Sequence, residues 1–364
     1  MKSKAPSILK DGISRRQMLK TSTAGALFAA TSLAMPAIGR SATLEDTLVF
    51  VSNGGNTQRI FEDEIWPPFS EKYGVKNFVY VATTGSETLS KLQTQRASPT
   101  IDVAWVSSLV QYQARSDGLL GEFDPSKIPN AQLVPERLRT SKVALPVGAS
   151  VSGLLHNSEI FKEKGFEDPT SWFDLWDERF KGHVGILSIS GTGTKNLVPL
   201  FAKLLTGDPT NFDAAFEKFR ELRPNLMEVF SNGGAMEQAL LQGDLWFETH
   251  NNVRALQMKN SGAPIVFTHP KEGLAGLNTE LAYVKDAPHP NVAHAWIDYM
   301  LSKEAQEKVA LLVGYAPVNP EVTIPDDLKL YFPPLDDSVF VADWEYLASR
   351  MEEMVDKWNR LVEG

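Results

Sequence analysis

The sequence predicts an α/β protein built from two lobes. Two observations carry this prediction. Short apolar runs alternate with helical patterns along most of the chain, and the 364 residues provide enough length for two domains once an N-terminal segment is removed. Beyond that segment, the longest uncharged run covers residues 143–158 and contains Pro146, so the sequence predicts no membrane span.

The first half of the chain reads as repeated strand-loop-helix units. Thr84 and Glu87 have the spacing of a capping box for a helix that continues through Leu92. This alternation predicts parallel βαβ units, whose ligands bind at the carboxyl ends of the strands. The predicted elements are a strand at 48–52, a glycine loop at 53–56, a helix at 57–73, a strand at 78–81, and a strand at 101–106 followed by a helix.

The second half repeats the pattern in kind, without an internal sequence repeat. Its predicted elements are strands at 151–156, 184–189 and 282–284, a glycine and hydroxyl loop at 190–196 before a helix at 197–205, an apolar run at 244–248, a helix ending near Met258, and two helices around Trp296 and at 303–313. A final amphipathic helix carries an apolar stripe from Trp344 to Leu361, which we interpret as core rather than as a partner surface.

The N-terminus has the layout of a twin-arginine export signal. Arg15 and Arg16 precede a mildly apolar stretch at 21–37, which is too short and too rich in Ala, Ser and Thr to span a membrane. We expect a signal peptide covering residues 1–42, with cleavage among the small residues at 37–42. The alternative is a disordered basic tail.

Charge and cysteine content exclude several classes of function. Without residues 1–42, the chain has 29 basic and 44 acidic residues, a net charge of −15 that disfavours binding to nucleic acid or anionic lipid. The chain has no cysteine, which excludes disulfides, thiolate zinc sites and iron–sulfur clusters. Stability must therefore come from packing of the core.

An ordered series of motifs resembles periplasmic solute-binding proteins of the spermidine/putrescine type. More loosely, the same motifs resemble binding proteins for ferric iron, thiamine and phosphorylated compounds. No adjacent tyrosine pair of the kind used by ferric-iron binders occurs, which counts against iron. The motifs lie at 157–161, 169–176, 181–184, 262–267, 270–273, 288–291, 301–306 and 314–319.

This resemblance implies a type II-like periplasmic-binding-protein fold in which a hinge joins two lobes, each a mixed sheet flanked by helices. Lobe 1 would comprise residues 43–148 and 280–319, and lobe 2 residues 149–279 and 320–364. It also implies a monomeric periplasmic component of an ABC importer, which closes on a small solute and delivers it to a membrane permease. The twin-arginine translocase would be its partner during export, and no cofactor is expected.

The resemblance places ligand contacts in the loops at the carboxyl ends of the strands. In polyamine binders these loops supply carboxylates and aromatic side chains, because a dication needs countercharge and its methylenes need apolar walls. Here they carry amides, hydroxyls and glycines, with one carboxylate. The candidate ligand-binding residues are Asn53, Gly54, Thr84, Ser86, Ser107, Ser108, Ser190, Thr192, Thr194, Asn251, Asn278, Glu280 and Tyr315.

The loop at 190–194 favours a different solute, because glycines allow backbone N–H groups to approach a ligand and a helix N-terminus favours an anion. Lys195 and Arg254 could add positive charge. The alternative is a connector in which Thr194 only caps the helix, and polar capping is an equal alternative for Ser107, Ser108 and Asn251. The solute is therefore either polyamine-like or anionic.

Two other classes of function remain open at this stage. An exported cofactor-dependent enzyme is one, because the twin-arginine route serves such enzymes, although the sequence has no nucleophile elbow, no His-Glu-x-x-His and no phosphate-binding loop. A ligand-sensing module for a chemoreceptor is the other. No pair among the six histidines has metal-ligand spacing, so no metal site is expected.

Overall fold

The computed structural model describes residues 44–139, 141–333 and 335–364. The twin-arginine signal and its cleavage site fall outside these residues. In the described ranges, no helix is long and apolar enough to cross a membrane. The strands β1 to β10 span, in chain order, Thr47–Ser52, Asn77–Ala82, Val103–Ser107, Ala144–Asn157, Val184–Leu187, Leu226–Phe230, Phe247–Asn251, Ile265–Thr268, Leu274–Tyr283 and Val339–Val341.

Helices connect and flank these strands. The α-helices α1 to α13 of the described residues span Asn56–Ile60, Trp66–Tyr73, Gly85–Thr94, Ser108–Ser116, Ser158–Lys164, Thr192–Thr206, Phe212–Leu222, Gly233–Gln242, Asn252–Asn260, Pro290–Met300, Lys303–Lys308, Trp344–Ser349 and Met351–Trp358. Turns of π-helix at Phe61–Ile65, Val309–Val313 and Asn359–Glu363 join or extend them, and short 3₁₀ turns lie at Pro125–Lys127, Pro129–Leu133, Glu136–Leu138, Trp172–Trp176, Glu178–Phe180 and Asp326–Tyr331.

The strands form one sheet in the order β2-β1-β3-β9-β4-β7-β5-β6, with β10 paired to β9 and β8 to β4. At one end β1 pairs in parallel with β2 and β3, and at the other end β5 pairs in parallel with β6 and β7. The predicted parallel βαβ units are therefore confirmed. Strands β4 and β9 lie between the two groups and are antiparallel to each other. β9 is also antiparallel to β3, and β4 to β7.

Strands β4 and β9 are much longer than the sequence predicted. β4 begins at Ala144 rather than at 151, and β9 begins at Leu274 rather than at 282. Pro146 obscured the start of β4, because proline normally interrupts a strand; here the β4–β9 register shifts between Pro146 and Gly148. A bulge of this kind accommodates proline within a paired strand.

The two long strands connect two hydrophobic cores. Leu145 near the start of β4 and Leu281 near the end of β9 pack in a core around Phe50 and Trp296. Further along, β4 and β9 contribute Leu154 and Ala275 to a second core, whose aromatic residues include Trp172 and Trp358. This arrangement is the predicted two-lobed α/β fold.

The apolar stripe of the C-terminal segment belongs to the second core. Leu347, Met354 and Trp358 are fully or almost fully buried there, and Trp344 is nearly so. Its interpretation as core is therefore confirmed. The predicted single helix is divided, because α12 ends at Ser349 and α13 begins at Met351.

Candidate functional site

Two adjoining cavities lie where the carboxyl end of β7 meets the first turn of α6. Their volumes are about 280 Å³ and about 550 Å³, and they share Ser150, Asn251 and Tyr315. We call them together the front groove. The smaller cavity is also lined by Ser152, Leu187, Gly191, Thr192, Gly193, Thr194, Asn196, Leu197, Thr249, His250 and Leu277, and the larger by Asn53, Gly54, Asn56, Thr57, Val253, Arg254, Gln257 and Val313.

Strands β4 and β7 supply hydroxyl and amide groups to this groove. Ser150 and Ser152 are two residues apart on β4, and Thr249 and Asn251 are two apart on β7, so each pair lies on one face of its strand. Ser152 is paired with Asn251 across the strands. A Cβ atom added to Gly193 would lie 3.5 Å from the Ser152 hydroxyl, which therefore faces the first turn of α6.

Helix α6 begins five residues earlier than the sequence predicted, and its N-terminus opens on the groove. Gly191 is the N-cap residue, and no side chain of the described residues accepts a hydrogen bond from the first turn. The Thr194 hydroxyl instead donates to the Leu187 carbonyl at 3.0 Å, so the alternative in which Thr194 caps the helix is wrong. The backbone N–H groups of a first turn without a side-chain cap can donate to an anion.

Arg254 is the charged side chain among the residues that line the front groove. Its Nη1 donates to Gln257 at 3.0 Å, and about half of the side chain is exposed (51%). The Lys195 amino group instead donates to the Ser190 carbonyl at 3.0 Å, and burial lowers the pKa of Lys195. Among the described residues that line the groove there is no Asp or Glu.

Asn251 both caps a helix and lines the groove, whereas the sequence treated helix capping and ligand contact as alternatives. Its side chain accepts a hydrogen bond from the Arg254 backbone N–H at 3.0 Å and so caps α9, while the residue also lines both cavities. Tyr315 lines both cavities too, next to Gly148 on β4. Only glycine fits at position 148, because a Cβ there would approach the Tyr315 Cβ to 2.9 Å.

A third cavity of about 360 Å³ lies on the opposite face of β9, and we call it the back cavity. Glu280 and Asn278 line it, together with Ser108 and the two arginines Arg115 and Arg137. Alternation along β9 explains the separation: residues 277 and 279 point to one face of the sheet, and residues 278 and 280 to the other. The predicted site residues Ser108, Asn278 and Glu280 therefore lie apart from those of the front groove.

Glu280 is enclosed at the base of the back cavity. It is 4% exposed and accepts a hydrogen bond from the Ser108 hydroxyl at 2.8 Å. Burial raises the pKa of Glu280 to about 7, against the opposing effect of this hydrogen bond. The sequence predicted that Glu280 lies near the solute cleft, whereas the structure places it at the back cavity.

Four further candidates lie outside the three cavities. Thr84 and Glu87 form the predicted capping box, with the Thr84 N–H donating to the Glu87 carboxylate at 2.7 Å, and Ser86 is exposed in the same turn. Ser107 caps α4. Ser190 is exposed and uses its carbonyl to accept from Lys195.

Sequence reasoning missed several residues of the front groove. Ser150, Ser152 and Thr249 are hydroxyl residues inside buried strands, spaced two apart from one another or from Asn251. Polar residues at that spacing in an otherwise apolar strand are the signal that could have identified them. No group of His, Asp or Glu suited to a metal ion occurs in the described part of the chain.

Two long strands of the sheet connect two groups of parallel strands, and a groove lies at the carboxyl ends of the parallel strands. This arrangement is typical of two-lobed solute-binding proteins. Residues 65–332 match the family described as bacterial extracellular solute-binding protein. The chain belongs to this family. It is 30% identical over 269 residues to spermidine/putrescine-binding periplasmic protein 1 of Haemophilus influenzae, which covers 71% of this chain and 72% of that relative.

Solved structures share the fold. An ABC transporter structure from Clostridium perfringens aligns with a TM-score of 0.74 at 24% identity, covering 86% of this chain and 99% of that one. The periplasmic binding protein AfuA of Actinobacillus pleuropneumoniae, with fructose-6-phosphate bound, aligns with a TM-score of 0.69 at 21% identity, covering 87% and 99%. The family match and the H. influenzae relative show that the chain is a periplasmic solute-binding component of an ABC importer, with a small-molecule solute and a membrane permease as partners, and that it is not an enzyme.

Proposed function

We propose that the front groove is the solute site and that its solute is a small organic anion. The observation that carries this proposal is the charge of the groove: Arg254 lines it, and no carboxylate does so among the described residues. The uncapped first turn of α6 adds partial positive charge to the smaller cavity of the groove. Carboxylate, phosphonate and phosphate groups fit this combination.

A polyamine fits the front groove poorly. A desolvated dication needs paired carboxylates, because an uncompensated buried charge is strongly unfavourable. The candidate carboxylate Glu280 faces the back cavity instead. The H. influenzae relative is named for spermidine and putrescine, whereas AfuA holds a phosphorylated sugar, so this fold accommodates solutes of either charge.

We assign lobe 1 to residues 43–148 and 280–319, and lobe 2 to residues 149–279 and 320–364. The first two crossings fall side by side, because Gly148 of β4 is paired with Thr279 of β9. The third crossing lies between Val318, which packs in the core around Trp296, and Tyr331, which packs in a cluster with residues of β4 and α8. Closure of the lobes would enclose the front groove.

Export by the twin-arginine route is part of the proposal, and it rests on Arg15 and Arg16. Replacing both arginines by lysine should leave the precursor in the cytoplasm, as measured by fractionation of cells that express the tagged protein. Unchanged delivery to the periplasm would contradict this route.

A thermal-shift screen tests the solute class, because a ligand that binds the folded state raises the unfolding midpoint by mass action. The panel comprises mono- and dicarboxylates, 2-aminoethylphosphonate, fructose 6-phosphate, thiamine, spermidine and putrescine. We expect stabilisation by one or more anions, and recovery of that anion unchanged after incubation. Stabilisation by spermidine or putrescine alone would overturn the proposal.

A further inference from the structure

Behind Arg254 lies a carboxylate that does not line the front groove. Glu237 is on α8, and its Oε1 atom lies 3.5 Å from the Arg254 Nε atom and 3.4 Å from the His250 Nε2 atom. The Glu237 side chain is 18% exposed, whereas that of Arg254 is 51% exposed. The carboxylate therefore contacts the inner side of the guanidinium group, whose outer part reaches the groove.

The carboxylate of Glu237 keeps its negative charge in this position. Burial acts to raise its pKa, but the contact with His250 and the charge of Arg254 outweigh burial and hold the pKa of Glu237 below its ordinary value. His250 does not cancel this charge, because its Nδ1 atom accepts the Asn251 backbone N–H at 2.8 Å, which leaves the ring's single proton on Nε2.

The neighbouring Glu248 is a second carboxyl group behind the groove. It is fully buried on β7, and its carboxylate oxygens have no hydrogen-bond partner among the described residues. Burial and the nearby charge of Glu237 raise the pKa of Glu248 well above its ordinary value, which favours the uncharged form of this carboxyl group. The carboxylate in direct contact with Arg254 is that of Glu237, and its negative charge is the one that opposes the guanidinium.

We propose that Glu237 is a specificity-determining residue that limits the solute to a single negative charge in the front groove. The inference rests on the proposed anion site and goes beyond it. Without Glu237, the field of Arg254 and the α6 N-terminus would favour a dianion over a monoanion. With Glu237 behind the guanidinium, each negative charge of the solute meets a repulsion that offsets much of this attraction.

The size of the effect follows from the distance. A solute anion in contact with the guanidinium would lie about 7 Å from the Glu237 carboxylate, and at an effective dielectric constant of about 40 this repulsion corresponds to about five- to tenfold in affinity for that charge and to less for a more distant one. Removing the charge should therefore improve the binding of a dianion more than that of a monoanion.

Succinate and succinamate are suitable probes, because they have nearly the same shape and carry two charges and one charge at pH 7.5. Their dissociation constants would be measured by calorimetry on the wild-type chain and on Glu237→Gln, which keeps an oxygen acceptor facing Arg254. In the wild type, succinamate should bind at least as tightly as succinate. In Glu237→Gln, the preference should shift toward succinate by about three- to fourfold, because the additional charge of succinate would lie about 10–12 Å from position 237.

Glu228→Gln is the matched control, since it removes the same charge from an exposed position on β6 outside the groove. It should leave the ratio of the succinate and succinamate dissociation constants unchanged.

If Glu237 only supports the structure of the groove, Glu237→Gln would change both affinities by the same factor. That result would overturn the inference, while anion binding by the wild type would still stand. If neither probe nor any anion of the screen bound the wild type, the anion-site proposal itself would fail. If Glu237→Gln does not fold, the wild type alone tests the inference, because a clear preference of the wild type for succinate would overturn it.

Discussion

The front groove and the back cavity lie on opposite faces of β9, and their chemistry differs. Leu277 lines the front groove, which contains hydroxyls, amides and Arg254 but no carboxylate among its described lining residues. Asn278 and Glu280 line the back cavity, which also contains Asp343, Glu345 and two arginines. The comparison shows that adjacent residues of one strand can belong to sites of different charge, so proximity in sequence does not assign Glu280 to the solute.

Filling each cavity in turn should have the largest effect. Thr192→Trp places an indole at the first turn of α6, inside the 280 Å³ cavity, and should abolish detectable solute binding in calorimetry while the circular dichroism spectrum stays unchanged. Val341→Trp is the matched variant in the back cavity, at an exposed position of β10. It should leave affinity within about twofold, since hydrophobic surface substitutions have small effects. Loss of binding in Val341→Trp alone would reverse our assignment.

The arginines provide the second test. Arg254→Met should weaken anion binding by about 10- to 100-fold, because a hydrogen bond to a charged group contributes about 1.5–3 kcal/mol. Arg115→Met removes a back-cavity arginine whose partner is Glu345 at 3.4 Å, and it should leave the dissociation constant unchanged. Equal losses in the two variants would mean that the solute contacts both cavities or responds only to net charge.

Glu280 provides a test on stability rather than on affinity. Its folded-state pKa of about 7 lies above the ordinary value of 4.5, so the folded protein binds more protons than the unfolded chain between these values. The stability contributed by this group is present below about pH 4.5 and is lost as the pH rises through about 7.

Glu280→Gln should therefore be more stable than the wild type at pH 8 by about 1–3 kcal/mol, and about equal to it at pH 4.5. Urea unfolding at the two pH values measures the difference. Solute affinity should not change. A variant destabilised at pH 8 would indicate that the charged form of Glu280 is stabilised by the two arginines.

Thr84 should show the smallest effect. Thr84→Ala removes the N-cap side chain of α3 and should cost about 1 kcal/mol of unfolding free energy, with no change in the solute dissociation constant. A loss of affinity larger than the loss of stability would place Thr84 in the solute site after lobe closure. That outcome would sharpen the comparison by adding a further lobe 1 residue to the front groove, besides Asn53 and Gly54.

Much of the fold was predictable because local patterns agree with it. The alternation of apolar runs and helices gave the parallel strands, and Thr84 and Glu87 gave the capping box of α3. The apolar stripe ending near Trp358 gave the C-terminal core helices. In each case the chemistry that fixes the element lies within a few residues of it.

The centre of the molecule was less predictable because its elements depend on pairing. β9 contains glycine, asparagine and glutamate, and its strand conformation is fixed by β3 and β4 on either side. The predicted start of α6 was five residues too late. Glycine and threonine, which form its first turn, are weak helix formers, and the position of this turn beside the groove depends on tertiary structure.

The candidate site was predicted in part for the same reason. Thr192, Asn251 and Tyr315 lie together in the front groove, whereas Ser108, Asn278 and Glu280 are separated from them by the sheet. The face on which each β9 residue lies depends on the register with its neighbours, which the sequence alone does not specify. The ligand-binding function of all thirteen candidates stays a prediction.

The most direct test of the central claim is a crystal structure of the mature protein with the anion that stabilises it most. We expect density for the anionic group between the first turn of α6 and the Arg254 guanidinium, and none beside Glu280. A solute bound in the back cavity, or an amine bound as the preferred ligand with its cationic group at a carboxylate, would contradict the account.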